Sequence, residues 1–151
     1  MEKMISVAID ENTGFAQQSN VDIQLLGGNE PITVMVDENR IQQVLDNLIS
    51  NAIKYSPANE TITISTSIDK NIVTVSVCDK GPGVAEQFQA QLFDKFTQGE
   101  ASNTRKYSGS GLGLSISRAI IEQHGGKIYY LSPASGGSCF CFELKADARV
   151  L

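Results

Sequence analysis

No apolar run in this 151-residue chain approaches the roughly 20 residues that span a bilayer. The opening MEKMISVAIDENTG also lacks a secretory signal's continuous hydrophobic stretch and small-residue cleavage site. A soluble, cytoplasmic chain is expected. Basic charge is scarce too: 12 Lys and Arg stand against 17 Asp and Glu, a net charge of -5. That balance argues against a nucleic-acid partner, since gripping phosphates needs clustered cations. The three cysteines, Cys78, Cys139 and Cys141, show neither metal-ligand spacing nor an even-numbered disulfide framework. They are expected to be packed, inert thiols in a reducing compartment. What is present suits one compact domain: with 41% hydrophobic and 19% charged residues, intrinsic disorder is excluded as the main state. A chain of this size buries roughly 68–70% of its unfolded surface without metal or disulfide staples.

Periodicity sets out the elements. Residues 3–18 are a weak helical candidate around Met4, Ile5, Ala8 and Ile9, interrupted at Thr13-Gly14. VDIQLL (21–26) and ITVMV (32–36) suggest a hairpin about GGNEP. From Asp37, the residues Ile41, Val44, Leu45, Leu48, Ile49 and Ala52 form an apolar helical stripe that ends before Pro57. Two strands follow at 61–68 and 72–79, with Ile62, Ile64 and Ile68 in phase on the first and Val73, Val75 and Val77 on the second. A short helix is expected near Glu86–Leu92. A second long helix runs from Leu112 to His124, with Ile116, Ala119 and Ile120 on one face and Gly125-Gly126 as its stop. KIYYL and SCFCFEL close the chain as a hairpin.

Three polar features lie on this frame. Asn47, Asn51, Lys54 and Tyr55 stack along the strong helix, offering carbonyl oxygens for a hard cation, an ammonium for phosphates and a ring face. Asp79 precedes Gly81-Pro82-Gly83, where a carboxylate could accept from an exocyclic amine, although a strand-ending turn uses the same residues. Gly109, Gly111, Leu112 and Gly113 approach a helix N-terminus, whose unpaired N–H groups suit phosphate.

In this order, with Phe93 and Phe96 between the second and third, these motifs resemble the asparagine, glycine and phenylalanine boxes of the histidine-kinase ATP-binding domain. The resemblance spans roughly residues 36–145 and extends to the superfamily of gyrase, Hsp90 and MutL. It implies a two-layer α/β sandwich of the Bergerat type, a mixed sheet covered on one face by about three helices. It also implies ATP and Mg²⁺ as cofactors. Asn51 would bind Mg²⁺; Asn47 and Lys54 would lie at the phosphates, and Tyr55 would pack on adenine. Asp79 would accept the adenine amino proton, with Gly81 and Gly83 shaping the pocket. Gly109, Gly111 and Gly113 would admit phosphates, Phe93 and Phe96 would anchor a lid, and its Arg105 and Lys106 would meet the γ-phosphate.

By the same resemblance, residues 1–18 are a helix left from a dimerisation domain and residues 19–151 form the catalytic domain. The isolated domain would be monomeric within a homodimeric kinase, whose other segments could anchor it to a membrane. Its partners would be the phosphoacceptor domain and a response regulator. Hydrolytic relatives carry a glutamate where Asn47 stands, and an amide cannot activate water, so slow intrinsic hydrolysis is expected. The single histidine, His124, reads as a helix C-terminal residue rather than a phosphoacceptor. An anti-sigma-factor-type serine kinase that acts by binding a partner is the alternative.

Overall fold

The computed structural model describes residues 1–27, 31–94 and 113–147. The predicted two-layer sandwich is what these residues build: a mixed five-stranded sheet with helices on one face, its strands β1 (Asp22–Gly27), β2 (Thr61–Asp69), β3 (Ile72–Asp79), β4 (Lys127–Leu131) and β5 (Ser138–Lys145) lying in the order β1-β2-β3-β5-β4. Among the described residues, no helix is long and apolar enough to cross a membrane.

The helix layer centres on α2, Glu38–Tyr55, which buries all six residues of the predicted stripe together with Ile53. Its start is fixed by Asp37, whose carboxylate accepts from the N–H groups of Asn39 and Arg40. Helix α1, Glu2–Gln18, lies along α2 and buries Ile5, Ala8, Asn12 and Ala16, a spacing of three to four residues. The Thr13-Gly14 step does not interrupt it. The Thr13 hydroxyl donates to the Ile9 carbonyl at 2.8 Å, a contact compatible with the helix. Helix α4, Gly113–Gln123, packs on the other side of α2. Its inner face is turned from the expected one: Ser117, Ile120 and Ile121 are buried, while Ile116 is 40% exposed. The polar Ser117 goes inward because it has a partner on α2, described below.

The first strand gives the largest topological correction. β1, Asp22–Gly27, pairs in parallel with β2, Thr61–Asp69, and α2 lies in the crossover between them. No hairpin forms with residues 32–36, which contribute only an isolated bridge between Val34 and Ala146. Pro31 lacks a donor, and the α2 cap at Asp37 leaves little room for a strand. β2 then turns back onto β3, Ile72–Asp79, as predicted. Burial fades along β2, so Ile62 and Ile64 are buried and Ile68, expected in phase with them, is exposed.

The short helix α3, Glu86–Gln89, precedes the closing hairpin of β4, Lys127–Leu131, and β5, Ser138–Lys145. β5 lies between β4 and β3 and sets Cys139 directly opposite Cys78. These two cysteines are not free thiols; they form a disulfide, and Cys141 is the buried free thiol. Strand register brought the pair together across 61 residues of sequence, and spacing along the chain does not show register.

His124 follows α4. Its Nδ1–H donates to the Ile120 carbonyl at 2.8 Å and its Nε2 accepts the Asp37 N–H at 3.1 Å, the tautomer this network requires. The imidazole therefore ties the end of α4 to the start of α2.

Candidate functional site

Helix α2 presents its polar stripe beside its buried one, so Asn47, Asn51, Lys54 and Tyr55 are all half-buried. Asn47 is held from two sides. Its amide Nδ2 donates to Ser117 Oγ at 2.9 Å, and Gly113 approaches so closely that an added Cβ would lie 2.6 Å from Asn47 Oδ1. Glycine at 113 thus lets the start of α4 close on the asparagine. Asn51 and Lys54 make no side-chain hydrogen bond or ion pair among the described residues. The Lys54 ammonium lies 5.7 Å from the centre of the Tyr55 ring, and burial holds its pKa below the ordinary lysine value.

At the end of β3, Asp79 is buried. Burial raises its pKa, opposed by hydrogen bonds from the backbone N–H groups of Gly81 and Ser138. The Gly81 bond measures 2.8 Å. Glycine is required here for a close approach, because a Cβ on residue 81 would run into the Tyr55 carbonyl oxygen. The turn after Asp79 is thereby seated on the end of α2. Gly83 follows at a left-handed φ of +76°. Tyr130 braces the same region, its hydroxyl accepting the Val84 N–H at 3.0 Å and sharing a hydrogen with Ser138 Oγ at 3.0 Å. Phe93 meets Phe140 edge-on, ring centres 6.2 Å apart.

The structure thus connects Asn47 with Gly113, and Tyr55 with Gly81 and Asp79. Phe96, Arg105, Lys106, Gly109, Gly111 and Leu112 lie outside the described residues. Four supporting residues were not anticipated: Ser117, Tyr130, Gly137 and Ser138. Gly137 stands at φ +85°, and a Cβ there would occupy the place of the Asp79 carbonyl oxygen. The double glycine before β5 was the available signal, but a hairpin turn accounts for it equally well.

A second acidic group adjoins the site. Asp46 on α2 and Glu11 on α1 line one cavity of about 390 Å³ together with Asn47, Ser50 and Gly113. Asp46 Oδ1 is buried without a hydrogen-bond partner. Burial, then the Glu11 carboxyl, pushes the Asp46 pKa up to about 6 from 3.8. A raised carboxyl binds more protons in the fold than in the unfolded chain, so stability falls as pH rises through about 4 to 6. Asp46→Asn should therefore raise Tm at pH 7.5 by about 2–4 °C, on the order of 1 kcal/mol once solvent screening of this partly exposed carboxyl is allowed for, and leave it nearly unchanged at pH 4. Thermal melts at the two pH values check this.

The comparisons with known proteins agree with this geometry. Residues 36–148 match the family described as histidine kinase-, DNA gyrase B-, and HSP90-like ATPase. The chain belongs to that family, and within it has the make-up of the catalytic ATP-binding domain of sensor histidine kinases. It is 45% identical over 113 residues to the adaptive-response sensory kinase SasA of Prochlorococcus marinus, covering 74% of this chain and 29% of that protein. It is 38% identical over 113 residues to the sensor histidine kinase WalK of Bacillus subtilis, covering 74% and 18%. The chain thus spans less than a third of these curated relatives. Among solved structures, the nucleotide-free catalytic domain of histidine kinase ThkA superposes with a TM-score of 0.84 at 34% identity, covering 96% of this chain and 91% of that one. ThkA in complex with the response regulator protein TrrA gives 0.81 at 32% identity, covering 97% and 40%.

Proposed function

We propose that this chain binds Mg-ATP and donates the γ-phosphate to a histidine on a separate dimerisation domain of the same kinase, from which it passes to a response regulator. The observation that carries the reading is Asp79, a buried carboxylate held by two backbone N–H groups beside the glycine turn. A buried charge of this kind is retained against a desolvation penalty, and an adenine amino group is a donor that suits it. The ThkA–TrrA complex, a histidine kinase bound to a response regulator protein, supports the response regulator as partner.

In this reading Lys54, without a counter-ion among the described residues, faces the phosphates. Asn51 fits Mg²⁺, because its amide is unengaged among the described residues and offers a carbonyl oxygen to a hard cation. When bound, Mg²⁺ supplies charge neutralisation across the phosphates. Asn47, fixed by Ser117, orients without removing a proton from water, so ATP is held ready for the incoming imidazole. Arg105, Lys106, Gly109, Gly111 and Leu112 are assigned to the phosphates and Phe96 to the lid, and their roles are part of the proposal. Residues 1–18 are assigned to the connection with the dimerisation domain. Ile5, Ala8 and Ala16 are buried in the same core as α2, which supports a stiff joint.

Calorimetric titration with a non-hydrolysable ATP analogue, with and without Mg²⁺, tests the reading. Saturable one-to-one binding is expected, strengthened by Mg²⁺. Lys54→Ala should weaken the analogue about 10- to 150-fold and leave adenosine unchanged, one charge-assisted hydrogen bond being worth about 1.5–3 kcal/mol. No saturable binding by the folded chain overturns the proposal.

A further inference from the structure

The disulfide has a particular place in the sheet. Val73, Val75, Val77 and Asp79 are buried along β3, so the alternate residues Thr74, Ser76 and Cys78 turn to the opposite, helix-free face and are half-buried. Cys78 pairs with Cys139, and the next pair along the two strands is Asp79 with Ser138. The covalent link is therefore one residue, on both strands, from the N–H of Ser138 that holds the Asp79 carboxylate. Gly137, one residue further, lies against the Asp79 carbonyl.

The third cysteine does not compete for this link. Cys141 is buried on β5, and Ser76 Oγ donates to its sulfur at 3.3 Å. Burial raises its pKa, which keeps it a protonated, poorly nucleophilic thiol.

We propose that Cys78–Cys139 is a thiol–disulfide modification site that sets the affinity of the adjoining adenine site, with the oxidised form binding more tightly. The inference rests on the nucleotide reading above. The co-reactant is a dithiol reductant. One of its thiolates attacks the half-buried Cys78 sulfur, the S–S bond breaks, and Cys139 leaves with the electron pair and takes a proton. The second thiol of the reductant then displaces Cys78 as a thiolate, which is protonated, and the reductant leaves as its own disulfide. Two thiols cannot share the space of a covalent S–S bond, so β3 and β5 shift apart and Ser138 moves relative to Asp79.

The test begins with thiol counts in denaturant on protein treated with oxidised glutathione and on protein treated with dithiothreitol. One and three thiols are expected. Both forms are then titrated with the Mg²⁺ complex of a non-hydrolysable ATP analogue, and the reduced form should bind about 2- to 10-fold more weakly, the value of one hydrogen bond. Cys78→Ser/Cys139→Ser should match the reduced form whether or not reductant is present, while Cys141→Ser should keep the full response. Circular dichroism verifies folding, and Cys78→Ala/Cys139→Ala substitutes if the serine pair misfolds. Equal affinity in the two forms, or three thiols after oxidation, overturns this inference alone. Absence of binding in both forms, with counts of one and three, overturns the nucleotide reading and the switch with it.

Discussion

Asp79→Asn is expected to weaken binding of an ATP analogue about 10- to 150-fold while leaving the fold intact, as read by titration and by thermal melting. Accepting a hydrogen bond as a charged group contributes about 1.5–3 kcal/mol, and an amide presents one acceptor oxygen in place of two. The same amide can donate to a carbonyl, so discrimination against a guanine nucleotide should relax in parallel. Stability should move the other way. Burial holds the Asp79 carboxyl above its ordinary 3.8, so ionising it costs folding free energy as pH rises through the folded value, and asparagine removes that cost. Acidification should likewise weaken nucleotide binding by the unmodified chain, because a protonated Asp79 loses its charge and turns one acceptor oxygen into a donor. A variant that binds normally, or one that loses binding only by unfolding, would remove Asp79 from the role proposed for it.

Gly137→Ala should cost about 2–4 kcal/mol, lowering Tm by about 5–15 °C. Two penalties coincide at this residue. Its φ of +85° is strained for any L side chain, and the new Cβ would occupy the position of the Asp79 carbonyl oxygen. Relief requires the turn before β5 to move away from β3, which also takes Ser138 from the Asp79 carboxylate. Thermal melts and analogue titration should therefore both respond, in contrast to Asp79→Asn, where only binding is lost. Gly136→Ala is the control: its φ is also positive, +95°, but nothing lies within 4 Å of the added carbon, so it should cost about 1 kcal/mol from strain alone.

The readings that succeeded from sequence are those in which one periodic pattern and one end signal agree. α2 is the clearest case: a stripe of six apolar residues lies between the cap at Asp37 and the stop at Pro57. β3 is another, with strict alternation ending at a glycine turn. The failures are of relations between segments. Parallel pairing of β1 with β2 depends on a crossover that local turn chemistry at GGNEP does not reveal, and that chemistry pointed to a hairpin. The inner face of α4 is turned by one residue from the stripe of Ile116, Ala119 and Ile120, because the Ser117 hydroxyl is buried against Asn47, a pairing with another helix that apolar periodicity does not show. The disulfide and the contact of Gly137 with Asp79 likewise follow from strand register. The ordered boxes named Asn47, Asp79, Gly81 and Gly113, whereas Ser117, Tyr130 and Ser138, which support them, belong to no box.

His124 has a consequence for measuring phosphotransfer. It is the only histidine in this sequence, and both of its ring nitrogens are engaged in joining α4 to α2. Labelled ATP incubated with this stretch of chain alone should therefore leave no acid-labile phosphoramidate on it. When an acceptor domain is added, all such label should appear on the acceptor, which makes the assay free of donor background and lets the transfer rate be read without separating the two proteins.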